Sequence, residues 1–152
     1  MSLSVQNHQR RVRIQPSRLR RLALRALDAL GLSGREVHVT IVDDRSIRRM
    51  NEQYLGVRKP TDVLAFNLEG PGPVPLLGEV IISADTAARQ AKGLRVPIAM
   101  EIDLLLVHGL LHLAGYDDCA PRRARAMHER AREILSEERR RVPDRLWTGL
   151  LS

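Results

Sequence analysis

The chain has 152 residues, with 25 Lys+Arg against 18 Asp+Glu, a formal net charge of +7 and 43% apolar residues. That is the length of one ordinary domain with enough apolar matter for a core, and no apolar run reaches the roughly 18 residues a membrane helix needs. The single cysteine, Cys119, excludes an internal disulfide, and the arginine-rich start lacks the apolar block of a secretory signal, so a reducing cytoplasm is the expected compartment.

In chain order, residues 1–9 are polar and expected to be loose. Arg11 to Ile14 alternates enough for a short first strand. Pro16-Ser17 opens a helix in which Leu19, Leu22, Ala23, Ala26, Leu27 and Leu30 recur at helical spacing until Gly31. Val37 to Val42 is β-branched and reads as a strand. Asp43-Asp44 then starts a helix to about Gln53, with an acidic N-cap signature. Val63 to Phe66 is a short strand, residues 70–75 form a Gly/Pro loop, and Leu77 to Ile82 is a further strand. Ser83 or Asp85 caps a helix through about Lys92, ended by Gly93. Pro97 opens the most apolar helix, Ile98 to about Leu113, stopped by Gly115. Arg122 to Arg141 is a long charged helix, docked by Ala124, Met127, Ala131, Ile134 and Leu135. The two strands around the Gly/Pro loop are joined without a helix, so at least one antiparallel pair is expected. The class is α+β: one domain over 1–152, a small mixed sheet of about four strands with about five helices, and a tail at 142–152.

The charge is unevenly placed. Residues 1–25 carry seven arginines and no acid, residues 26–121 nine basic and 13 acidic residues, and residues 122–145 nine arginines and five acids. Basic ends fit either solvated helix faces or phosphate binding, where arginines release counterions. Aromatics at 3% are too few for a stacking platform, so a nucleic acid would be held by its backbone.

His108 and His112 lie four apart on the apolar helix. Four residues turn about 400°, so the imidazoles share a face at the spacing two ligands of one tetrahedral metal need. The bland alternative is two core histidines bonded to backbone or to each other. Gly115 permits a sharp turn three residues later, which returns Asp117 and Asp118 toward the pair. Asp118 is the better third ligand, with Asp117 and Cys119 as alternatives. One Zn²⁺ with three protein ligands keeps an open position, as catalytic sites do. Gly109 replaces the glutamate of the peptidase signature H-E-x-x-H, and glycine there leaves room for a bulky substrate. A general base must then come from elsewhere, or a metal-bound hydroxide acts without one.

His108-Gly-Leu-Leu-His-Leu-Ala-Gly-Tyr-Asp117 closely resembles the signature of the YbeY family of rRNA-maturation endoribonucleases. Lys59-Pro-Thr-Asp-Val-Leu-Ala-Phe66 and Leu77-Gly-Glu-Val-Ile-Ile-Ser83 are similar to two further blocks of that family, in the same order. The resemblance spans about residues 37–140. It implies a zincin-like fold and a metal-dependent, single-strand-specific endoribonuclease acting in 16S rRNA 3′-end maturation and ribosome quality control. The implied partners are single-stranded rRNA and the ribosome or small-subunit proteins, with no membrane. A non-catalytic ribosome-associated assembly factor of the same fold is the alternative.

Two positions depart from the family pattern. Its third ligand is normally histidine where this chain has Asp118. Its arginine after the aromatic that precedes the second block is Leu55 here, and Arg58, three residues on, is the candidate replacement for phosphate contact. Two neutral histidines and one carboxylate leave zinc less positive than three histidines would, so its water should be less acidic. Of the remaining polar residues, His128 is expected to face solvent, His38 to be structural, Asp62 to form a turn and Asp85 to cap a helix.

Overall fold

The computed structural model describes residues 3–58, 61–68, 76–138 and 142–148. The chain runs β1 Leu3–Asn7, α1 Pro16–Ala29, β2 Glu36–Val42, α2 Asp44–Leu55, β3 Val63–Asn67 and β4 Leu76–Ser83. It continues through α3 Ala84–Leu94, α4 Ile98–Leu113, α5 Pro121–Glu138 and α6 Asp144–Thr148. The sheet order is β1-β2-β4-β3. β1, β2 and β4 are parallel, and β3 pairs antiparallel with β4, which is the pairing expected of strands joined without a helix. The Gly/Pro loop at 70–75, Lys59-Pro60 and the expected end of the long helix at 139–141 lie outside the described residues.

Each helix begins where local chemistry permits. Pro16 opens α1 at a position where a missing N–H costs nothing, and the Leu19, Leu22, Ala23, Ala26 and Leu27 stripe is buried. The Asp43 carboxylate accepts the Ser46 N–H at 2.8 Å to cap α2, which ends at Gly56 in the left-handed region, φ 71°. The Ser83 hydroxyl accepts the Thr86 N–H and caps α3. Asp85 is a cap too, but for a different helix: its carboxylate accepts the N–H of Asp44, the first residue of α2.

Several expectations are corrected. The first strand is Leu3–Asn7, inside the segment expected to be loose, and residues 11–14 are a bend followed by coil. Leu3 and Val5 pair opposite Val37 and Val39 of β2. Pairing beside a strongly β-forming neighbour outweighs the strand's own weak pattern. α3 passes through Gly93 and ends at Arg95, whose φ is 57°. The Arg95 carbonyl accepts two N–H bonds from Arg145, at 3.1 and 3.0 Å, which fixes that corner. The supposed tail contains α6, where Leu146 and Trp147 are buried, so six helices rather than about five are present among the described residues.

α4 is the hub. It is buried on nearly every side and packs against α1, α3, α5, β3 and β4. Such all-round apolarity marks a helix enclosed by protein. Arg18 of α1 donates to the buried Asp103 of α4 at 2.8 Å, a charged clamp between the two helices. Gly109 sits where α4 crosses the sheet. A Cβ there would lie 2.6 Å from Val80 Cγ1 and 3.3 Å from Val63 Cγ2. The glycine therefore serves close helix–sheet approach, and the expectation that it leaves space for substrate is withdrawn.

Gly109→Ala should be destabilising although alanine is the better helix former. The propensity gain is about 1 kcal/mol, whereas overpacking a tight core costs about 1–3 kcal/mol, and Val80 is held inside the central strand. Urea unfolding should show a net loss of up to about 2 kcal/mol; a raised midpoint would contradict this close approach.

Candidate metal centre

The end of α4 is built by its stop signal. Ala114 closes the helix, Gly115 takes φ 102°, and the chain reverses. The Gly115 N–H donates to the His112 carbonyl at 3.1 Å and the Tyr116 N–H to that of Leu111 at 3.0 Å, the paired bonds of a Schellman ending. This turn brings the Tyr116 carbonyl back onto the helix, 3.1 Å from His112 Nδ1. A carbonyl only accepts, so His112 carries its proton on Nδ1 and its lone pair on Nε2.

That lone pair points at His108. The two Nε2 atoms are 3.0 Å apart, and the rings meet edge-on with centroids 4.6 Å apart at 73°. As they stand, His108 Nε2–H donates to His112 Nε2. Zinc bonds of about 2.0–2.1 Å at a tetrahedral angle separate two ligand nitrogens by roughly 3.3 Å. An ion taking the place of the shared proton would need only a small opening of the pair. Burial holds the His108 pKa down at about 4; His112 pushes the same way, while Asp62 and Asp118 oppose it. His108 is thus neutral at pH 7, as a ligand must be. The pair, the fixed tautomer of His112 and the neutrality of His108 all suit a metal ion.

The third position is less closed. Asp118 is exposed and shares a cavity of about 20 Å³ with His108, Ala124, Met127 and His128. Among the described residues, no three His, Cys, Asp or Glu side chains converge on one point. Asp118 reaches the pair only by turning inward. Asp117 is engaged elsewhere: it accepts the Cys119 N–H at 3.0 Å and pairs with Arg123 at 3.4 Å. Cys119 is exposed. Arg58 is 79% exposed and held by Glu52 at 2.8 Å rather than by the histidine pair. His38 is structural, bonded to Ser4 Oγ at 2.7 Å. Asp62 sits in a bend at the start of β3, accepting the Val63 N–H through its carboxylate and, across the strands, the Ser83 N–H through its carbonyl.

His128 does not face solvent as expected. It is half-buried, its ring edge packs on Trp147 with centroids 5.6 Å apart, and it lines the cavity beside His108. Its position was readable: it follows Met127 and lies within one turn of Ala124 and Ala131, at the border of the docking stripe. Sequence reasoning also missed Glu101. It lies seven residues before His108, on the same helix face, and is 4% exposed. Burial, reinforced by the Asp62 charge, raises its pKa to about 7. Beside the Gly115 turn lies a cleft of about 390 Å³, lined by Ala114, Gly115, Tyr116, Asp117, Arg123 and Ala126. Arg123, not singled out in the sequence, is the cation at its edge.

Residues 4–139 match the family described as YbeY, endoribonuclease YbeY. The chain is similar to a protein named endoribonuclease YbeY from Anaeromyxobacter sp. (strain Fw109-5), 43% identical over 139 residues, which are 91% of this chain and 72% of the relative. It is also similar to a protein of that name from Geobacter metallireducens, 42% identical over 90% of this chain and 95% of the relative. The solution structure of TM1509 from Thermotoga maritima matches with a TM-score of 0.62 and 22% identity, covering 97% of this chain and 90% of that one, a likeness of fold.

Glu101 yields a pH prediction. Its pKa is raised from 4.5 to about 7, so the folded state holds the proton between those values and the unfolded state does not. Stability contributed by this group therefore falls as pH rises from about 4.5 through 7. Glu101→Gln should remove that loss, with the variant gaining up to about 3 kcal/mol on the wild type between pH 4.5 and pH 8. Denaturant unfolding at both pH values checks this, and a pH-independent difference between the two proteins would refute it.

Proposed function

The chain belongs to the YbeY endoribonuclease family, and on that premise we propose that it is a zinc-dependent endoribonuclease, one ion per chain, that hydrolyses phosphodiester bonds in single-stranded rRNA. The observation that carries the zinc reading is the 3.0 Å approach of two imidazole Nε2 atoms on a buried helix, with His112 locked as the Nδ1–H tautomer. His108 and His112 hold the ion, and Asp118 is the third ligand. When bound, zinc supplies a Lewis acid for a phosphoryl oxygen and lowers the pKa of a water that can attack phosphorus.

The rest belongs to side chains. Helix burial fixes both imidazoles before the ion or the RNA arrives, so little reorganisation is left at the moment of reaction. Arg123 at the rim of the cleft is placed to neutralise a phosphate, exchanging Asp117 for the stronger anion. Arg58 can do the same by releasing Glu52, at the cost of that 2.8 Å ion pair. The arginines of the first 25 residues and of α5 hold the backbone at longer range, which makes binding salt-dependent. The substrate step is 16S rRNA 3′-end maturation, with ribosome quality control as the setting, the ribosome or its small-subunit proteins as partners and the cytoplasm as the compartment.

Asp118 tunes the reaction. A carboxylate in the donor set cancels part of the ion's charge, so the site acidifies water less than an all-imidazole site.

Two outcomes follow. His108→Ala and His112→Ala should each lose zinc and reduce cleavage of a single-stranded rRNA fragment by at least about 100-fold, since even partners behind a ligand are worth 10–100-fold. Cleavage surviving in a zinc-free double variant would end this reading, and stoichiometric zinc without any cleavage by the wild type would move it to a non-catalytic assembly factor. Asp118→His should shift the pH–rate profile toward lower pH; a profile unmoved or shifted to higher pH would remove Asp118 from the ion.

A further inference from the structure

The exposed apolar side chains gather in one place. Of the six large ones that stand exposed among the described residues, Tyr54, Leu55, Val57 and Leu68 lie at the end of α2 and just past the end of β3. Tyr54 joins the two elements. Its ring meets Phe66 of β3 with centroids 5.1 Å apart, at 52°. Phe66 is half-buried and packs on the small core cluster under α2, whereas Tyr54 is 61% exposed. A large ring pinned by one neighbour and otherwise open to water, amid further exposed apolar groups, marks an interaction surface.

The charge around the ring selects the occupant. Residues 45–58 carry Arg45, Arg48, Arg49 and Arg58 against Glu52 alone. All five are exposed, and Arg48 and Arg49 make no hydrogen bond or ion pair with any described residue. Protein-docking patches are depleted of charge at their centre. Cations beside an exposed ring suit instead a phosphate chain with a base stacked on the ring. One ring is not the stacking platform that a 3% aromatic content excludes; it takes a single base.

The ring also has a defined relation to the histidine pair. β3 is the edge strand of the sheet, and its side chains alternate between the two faces. Phe66 packs on the α2 face. Val63 reaches the α4 face, where its Cγ2 would lie 3.3 Å from a Cβ on Gly109, between the two histidines. Tyr54 and the pair thus stand on opposite sides of one sheet edge. We propose that Tyr54 stacks one nucleobase of single-stranded RNA, with Arg48, Arg49 and Arg58 on the neighbouring phosphates, as the strand turns around β3 toward the pair. The inference rests on the endoribonuclease reading above. A flexible strand can make that turn; a duplex, stiff over about 50 nm, cannot.

The test is RNA affinity of the full chain, with a chelator present so that nothing is cleaved. Fluorescence anisotropy follows a short labelled single-stranded RNA and the same ribose–phosphate strand without bases. Tyr54→Ala and Tyr54→Leu should each bind the RNA at least about fivefold more weakly than wild type, and Tyr54→Phe as tightly as wild type. All should bind the abasic strand alike. Arg48→Ala and Arg49→Ala should each flatten the slope of log K against log salt by about 0.7, and Tyr54→Ala should leave it unchanged. Wild-type affinity in Tyr54→Leu, a loss in Tyr54→Phe, or an equal loss on the abasic strand overturns the stack. RNA affinity unmoved by any Tyr54 variant also overturns it and gives the apolar patch to a protein partner. The nuclease reading fails separately. A zinc-loaded wild type that binds RNA through Tyr54 but cleaves none keeps the stack, whereas cleavage by wild type with undiminished RNA binding in Tyr54→Ala loses the stack alone.

Discussion

One carbonyl governs the site. The Tyr116 oxygen, 3.1 Å from His112 Nδ1, fixes which nitrogen of that ring carries a proton and so leaves the other free to face His108. The carbonyl is there because Gly115 adopts φ 102° and turns the chain back over the last turn of α4. Substituting a residue with a Cβ would strain that conformation, and the loss would be felt at the imidazoles rather than at the turn. A helix stop and an imidazole's tautomer are thus one structural fact.

The same helix must be both core and site. Its apolar circumference demands cover from α1, α3, α5 and the sheet, and this cover dries the imidazoles enough to keep His108 neutral. Gly109, between the two histidines, lets the sheet come within contact of Val80 and Val63. That packing explains why the residue beside the first histidine is glycine. It also explains why the general base of a peptidase is missing: a glutamate side chain has no room there. Glu101, two turns earlier on the same face, shows the cost of that dryness, with a pKa raised to about 7.

Much of this was legible before any coordinates. α4 was readable to its first and last residues, because a mostly apolar stretch between Pro97 and Gly115, with only Glu101 and Asp103 charged, admits few alternatives. The histidine pair followed from the four-residue spacing, and the antiparallel β3–β4 pair from the helix-free loop. β1 was not legible, since Leu3 and Val5 are its only strong apolar signals and its stability comes from β2. α6 was missed because five residues carry too little periodicity; the lone tryptophan was the available clue. His128 was misread for the opposite reason. Its neighbours are charged, which masks its place one residue after Met127 and within one turn of Ala124 and Ala131, at the border of the docking stripe, where it packs on Trp147. Third positions of metal sites that arrive from loops or other helices are tertiary facts, and spacing alone does not carry them.

The central claim is that the pair is a pre-set metal grip rather than two core histidines sharing a hydrogen bond. Nitrogen-15 NMR of the histidine rings, before and after one equivalent of zinc, tests it directly. The account predicts His112 as the Nδ1–H tautomer in both states and His108 Nε2 losing its proton as zinc binds, complete at one ion per chain. Ring resonances that do not respond to zinc, or a His112 protonated on Nε2, would contradict it.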